Sequence, residues 1–140
     1  VWKQGKQGTM SVAGKPDLEV ASPPVFQGPE GVWIPQDLFV ASVNACTMTT
    51  FTTFAHRANL SFLSYESTAE GLLESVGGKF QFTRIVVRPI LVVEDPVDVP
   101  KAEKALAEAH EQCMIANSMK CPVVLEPEIK VAQGAGHPAS

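Results

Sequence analysis

Cysteine is scarce in this chain, with three residues in 140. That number is odd and too small for the disulfide framework of a compact secreted domain. Charge is sparse as well: Asp, Glu, Lys and Arg make up 19% of the residues, for a formal net charge of -4. The lysines are scattered and form no basic cluster to neutralise phosphates, which argues against nucleic acid as a partner. The same scatter leaves nothing for polybasic docking on a membrane. Long apolar runs are also missing. Residues 85–93 form one of the longest, and Arg88 and Pro89 interrupt it, which leaves it far short of a bilayer span. No charged start followed by an apolar stretch precedes the first strand-like residues, so no signal peptide is expected. These absences point to the cytoplasm, a reducing compartment.

Two kinds of site are missing by the same reading. Gly5-Lys6-Gln7-Gly8 lacks the length and the following helix of a phosphate-binding loop. Cys113 and Cys121 have seven residues between them and no nearby partner motif, unlike the short ligand spacing of zinc sites. No metal and no cofactor are expected.

What is present suits one domain with its own core, since hydrophobic residues make up 45% of the chain. Residues 8–13 and 18–21 read as short strands, with Gly14-Lys15-Pro16-Asp17 as a hairpin turn between them. Pro35 suits a first helical turn and Asp37 suits its dipole. From there to about residue 59 no Gly or Pro occurs, and apolar residues fall on nearly every side, as in a buried helix. Five threonines between positions 47 and 53 leave strand as the rival reading of this run. Residues 60–73 and 79–93 read as strands joined at Gly77-Gly78. Residues 95–100 read as a loop and 101–119 as an amphipathic helix, with Ala105, Leu106, Ala109, Cys113 and Ile115 facing inward. Residues 123–131 make a last strand, and 134–140 read as a loose tail. The order predicts an α+β domain with a mainly antiparallel sheet wrapped around a long buried helix. A helix apolar on all sides needs more cover than one small sheet supplies, which predicts an intertwined homodimer.

Cys46 and Cys113 lie on the two predicted helices. Taken alone, each is as easily a small buried core residue as a reactive thiol. Their surroundings carry more. The run Pro35-Gln36-Asp37-Leu38, leading through a helix to Ala45-Cys46, resembles a Pro-Glu-x-Leu segment that opens a helix ending in Ala-Cys. Ala109-His110-Glu111-Gln112-Cys113 resembles an Ala-His-x-x-Cys-Pro-Tyr-Ser segment, although Met114-Ile115-Ala116-Asn117-Ser118 follow here instead. Val123-Val124-Leu125 and Ile129 match the strand that comes next. Together these segments are similar to the OsmC/Ohr family of thiol-dependent hydroperoxide reductases, from Pro35 onward.

The resemblance implies a peroxidase cycle for organic hydroperoxides. Cys46 matches the thiol that attacks the peroxide and becomes a sulfenic acid. Cys113 matches the partner that closes a disulfide, which a dithiol reductant then reopens. Cys121, in Cys121-Pro122-Val123, is the rival for the second role. Two departures stand out. The family has a glutamate where this chain has Gln36, with Asp37 next. It also has an arginine in the N-terminal strands, where Lys3, Lys6 and Lys15 are the basic residues before Arg57. Glu30 is a candidate replacement for the carboxylate, and Arg57, Arg84 or Arg88 for the cation. His110, three residues before Cys113 and on its helix face, is either a supporting base or a plain half-exposed histidine. Trp33, Phe39 and Phe51 are candidates to line an apolar substrate pocket. The alternative reading is a weakened member of the same fold that binds a small apolar ligand or senses redox state.

Overall fold

A computed structural model describes residues 1–132; the expected tail at 134–140 lies outside the described residues. The chain divides into two compact units, one spanning Val1–Ala41 and the other beginning at Ser42.

In the first unit, β1 (Trp2–Gln4), β2 (Gln7–Met10) and β3 (Leu18–Ala21) form a three-stranded antiparallel sheet in that order. The turn at Gly14 has φ of 82°, a conformation glycine adopts without steric cost. After β3 the chain doubles back. The Ala21 N–H donates to the Trp33 carbonyl at 2.9 Å, and the Gly28 N–H donates to the Pro23 carbonyl at 3.0 Å.

Helix α1 (Pro35–Arg57) starts in the first unit and runs on into the second. The threonine run is helical because its hydroxyls find partners on the helix itself. Thr47, Thr52 and Thr53 donate to the carbonyls of Val43, Thr49 and Thr49 at 2.8, 2.7 and 3.2 Å, the back-bonding that Thr makes in helices. The helix stops at Asn59, whose φ is 54°. The Leu60 N–H reaches the Ala55 carbonyl at 2.8 Å and the Asn59 N–H reaches the His56 carbonyl at 3.1 Å, a Schellman cap. The helix is not buried all round. Its buried residues are Val43, Thr47, Phe51 and Ala55, one stripe at four-residue spacing. By length and apolar composition alone α1 would span a bilayer, contrary to the expectation that no apolar run here is long enough. Its buried stripe packs within a folded core, and core helices pass the same test.

The second unit is built on β4 (Ser64–Val76) and β5 (Lys79–Val93), a long antiparallel hairpin. Its turn, Gly77-Gly78, has φ of 58° and 82°, as a type I′ turn requires. The expected final strand is two: β6 (Val123–Leu125) and β7 (Glu128–Val131). Both pair with β5 in parallel, β6 along residues 85–87 and β7 along residues 90–93. Pro127 lies between them and Pro89 lies between the two paired stretches of β5. Neither proline has an N–H to give the ladder, so pairing lapses there.

Helix α2 (Val99–Gln112) starts two residues earlier than the periodicity predicts and ends sooner. Cys113 is extended, with φ of -65° and ψ of 106°, and a short helix α3 (Met114–Asn117) follows. Ala102, Ala105, Leu106 and Ala109 of α2 join Phe51, Ala55, Leu60, Leu91 and Val93 in one core cluster.

Candidate active site

Cys46 sits halfway along α1, partly buried. The helix is pinned beside it to β4: the Ser67 hydroxyl donates to Asn44 Oδ1 at 2.6 Å. Cys113 lies at the break between α2 and α3 with no exposed surface. Cys113 and Cys46 are close enough for each thiol to act on the acidity of the other. Both are free thiols.

The two sulfurs differ in electrostatic setting. Burial pushes the Cys46 thiol up. The Ile115 N–H, the Cys113 thiol, the Thr50 hydroxyl and the Met114 N–H oppose that, and together they hold Cys46 below the ordinary thiol value. Thr50 Oγ1 is 3.7 Å from the sulfur, one helical turn on. Cys113 moves the other way. Burial pushes it up, and so do its bond to the Cys46 sulfur and the charge there; the Ala116 N–H and the Thr47 hydroxyl resist. The arrangement is one thiol held below the ordinary value beside one held above it.

The sequence candidates are distributed around this pair unevenly. Cys46 and Cys113 come together. Cys121 does not join the groups that act on either of them; it is 8% exposed and lines a separate cavity of about 470 Å³ with His110, Glu111 and Asn117. His110 also lines a cavity of about 540 Å³ with Leu106, Leu125 and Ile129, and it is absent from the groups acting on Cys113. Phe51 is a core residue, fully buried, with its ring 5.2 Å from Phe62 and 5.3 Å from Tyr65. Trp33 and Phe39 are exposed by 47% and 38%. Glu30 and Asp37 are exposed, and Gln36 buries Oε1 without a hydrogen-bond partner.

The three arginines are engaged elsewhere. Arg88 pairs with Glu70 at 2.8 Å and Glu126 at 3.1 Å, Arg84 with Glu126 at 3.9 Å. Arg57 lies over the Phe54 ring at 5.4 Å. Among the described residues, no three His, Cys, Asp or Glu side chains converge as metal ligands. Sequence reading missed Thr47, Thr50 and the two backbone donors. The threonines carried a readable signal, lying one and four positions after Cys46; the amides depend on the break at Cys113, which periodicity does not reveal.

The model of OsmC-like proteins matches residues 28–128. A protein of Bacillus subtilis strain 168, the uncharacterized YmaD, is 25% identical over 118 residues, which is 82% of this chain and 79% of that one. Among solved structures, an OsmC-like protein of unknown function from Vibrio cholerae superposes with a TM-score of 0.82 at 27% identity, covering 91% of this chain and 94% of that one. An organic hydroperoxide resistance protein from Legionella pneumophila superposes with a TM-score of 0.68 at 21% identity, covering 94% of this chain and 99% of that one.

Proposed function

The chain belongs to the family of OsmC-like proteins, and we propose that it is a thiol-dependent peroxidase that reduces organic hydroperoxides through Cys46 and Cys113. The observation that carries this reading is the pair of free thiols, Cys46 half-buried on α1 and Cys113 buried at the α2–α3 break, whose acidities are pushed in opposite directions. The thiolate is the nucleophile in such chemistry, so the sulfur held below the ordinary thiol value is the attacking one.

The cycle follows from that asymmetry. Cys46 Sγ⁻ attacks the terminal oxygen of ROOH. An S–O bond forms, the O–O bond breaks, and the departing alkoxide takes up a proton to leave as ROH. Cys46 is now a sulfenic acid. Cys113 Sγ attacks the Cys46 sulfur; an S–S bond forms, the S–O bond breaks, and the hydroxyl leaves with the Cys113 proton as water. A dithiol reductant supplies two electrons and two protons through exchange and restores both thiols.

The organic substrate class draws support from structural relatives that are named organic hydroperoxide resistance proteins. A reducing compartment such as the cytoplasm suits a cycle that must be reset by thiols. The reading includes a homodimer. Met48 on α1 is 41% exposed, and Leu72, Val76 and Phe80 on the β4–β5 hairpin are 52%, 44% and 70% exposed. A second copy would cover apolar surface of this kind.

One equivalent of cumene hydroperoxide tests the cycle directly. Non-reducing peptide mapping is expected to find a Cys46–Cys113 disulfide, Cys46→Ser to consume no peroxide, and Cys113→Ser to halt at the sulfenic acid. A disulfide through Cys121 instead, or a faster reaction with hydrogen peroxide than with the organic one, would overturn the assignment. The redox-sensor or ligand-binding alternative would gain if Cys46 proved no more acidic than a free thiol.

A further inference from the structure

We propose that a cavity between the end of α1 and the first half of α2 binds a small organic acid, one carboxylate on an apolar stem. The site is separate from the thiol pair and does not depend on the peroxidase reading.

The cavity, of about 310 Å³, has an apolar floor of Phe54, Ala58 and Ala105. That volume suits a small ligand. The floor follows from the residues that bring the helices together. Ala55 of α1 and Ala102 and Ala105 of α2 share one buried cluster, with Phe54 packed against it. Alanine at 58 and 105 leaves open the space that larger side chains would fill.

Around the floor stand three cations, Arg57, Lys101 and Lys104, and one carboxylate, Glu108. This positive excess is local, since the chain as a whole carries -4. Glu108 is already paired, with Lys104 at 3.9 Å. Arg57 lies over the Phe54 ring at 5.4 Å, which keeps its guanidinium at the cavity wall. Among the described residues, neither Arg57 nor Lys101 has a carboxylate partner. Arg84 and Arg88, by contrast, are committed to Glu70 and Glu126. Lys101 is the third residue of α2, whose first turn holds no acid. A cation there opposes the helix dipole, and a bound anion would offset that cost.

The lining selects the ligand. A guanidinium fork matches a carboxylate through two parallel N–H bonds, and Lys101 adds a point charge. The floor favours an alkyl or aryl stem, which acetate and inorganic phosphate lack. Cys46 is eleven residues before Arg57 on α1, roughly 16 Å along the helix axis, too far for a short acid to reach both.

Octanoate is the probe, titrated into the full chain at low salt and followed by backbone amide NMR shifts. Saturation in the millimolar range or below is expected, with shifts centred on residues 54–58 and 101–108. Octanol lacks the charge and acetate the stem, and each is expected to bind about tenfold more weakly. Arg57→Gln and Lys101→Gln are each expected to weaken octanoate by roughly three- to tenfold, as loss of an exposed charged hydrogen bond implies. Ala58→Leu is expected to block it with every charge in place. Should Ala58→Leu fail to fold, the two charge variants, both at exposed positions, carry the test. The proposal is overturned if octanoate does not saturate, if its shifts centre elsewhere, if octanol or inorganic phosphate binds as well, or if both charge variants bind like the parent. Cys46→Ser keeps the readings apart. It is expected to bind octanoate like the parent whether or not the parent is a peroxidase, and loss of binding in it would overturn the separate site.

Discussion

Thr50 and Cys113 approach the Cys46 sulfur from opposite sides of the question of who holds the proton. Thr50 Oγ1, 3.7 Å from the sulfur, can donate to it once Cys46 has lost its proton and does not itself titrate, whereas Cys113 can donate only while it remains a thiol. Because Cys46 is held below the ordinary thiol value and Cys113 above it, their reactivities should separate with pH. Cys46 should alkylate at lower pH than a free cysteine, and Cys113 should reach its plateau only at higher pH; peptide-resolved alkylation checks both. Equal midpoints would remove the basis for assigning roles. Thr50→Val should slow Cys46 alkylation at neutral pH by a few fold, since it deletes one neutral donor to the thiolate. Cys46 and Cys113 were both legible as motif positions, and their pairing was implied by resemblance. Their acidities were not legible, because no residue type records which amides a chain break will expose.

Among the elements, α1 shows how far pattern reading reaches. Pro35 and Asp37 mark its start correctly, and the threonines do not defeat it because their hydroxyls return to the helix backbone. What the pattern overstates is burial: apolar residues on every side suggest complete cover, and one stripe of the helix receives it. Phe51 belongs to that stripe. Phe51→Ala should cost about 3–5 kcal/mol in urea unfolding and leave the Cys46 alkylation midpoint in place, the outcome for a core residue and not for a group lining a substrate pocket. The last strand shows the reverse error. Residues 123–131 look continuous, but Pro127 and the Pro89 opposite split the ladder into β6 and β7. In the N-terminal unit, a side chain at Gly28 would place Cβ 1.6 Å from the Ser22 carbonyl oxygen. Gly28→Ala should therefore displace the segment after β3, visible as lost amide protection around residues 21–33.

For the whole molecule, the decisive quantity is apolar surface left uncovered by a single chain. Met48, Leu72, Val76 and Phe80 stay exposed, and a net charge of -4 on 140 residues is too small to oppose association strongly. Sedimentation equilibrium at micromolar concentration should return twice the 15.0 kDa chain mass; a monomer across that range would refute the homodimer.

The residue order alone established the α+β class, the helix from Pro35, the Gly77-Gly78 hairpin and the two cysteines worth pursuing. These follow from local chemistry: prolines and glycines that permit one backbone, and periodicities that bury one face. The tertiary structure decided which thiol is held below the ordinary value and which above it, that Cys121 and His110 line cavities of their own, and that Phe51 is core. Each of those depends on groups distant in sequence coming together, as where α2 breaks at Cys113 and that thiol acts on Cys46 in the middle of α1.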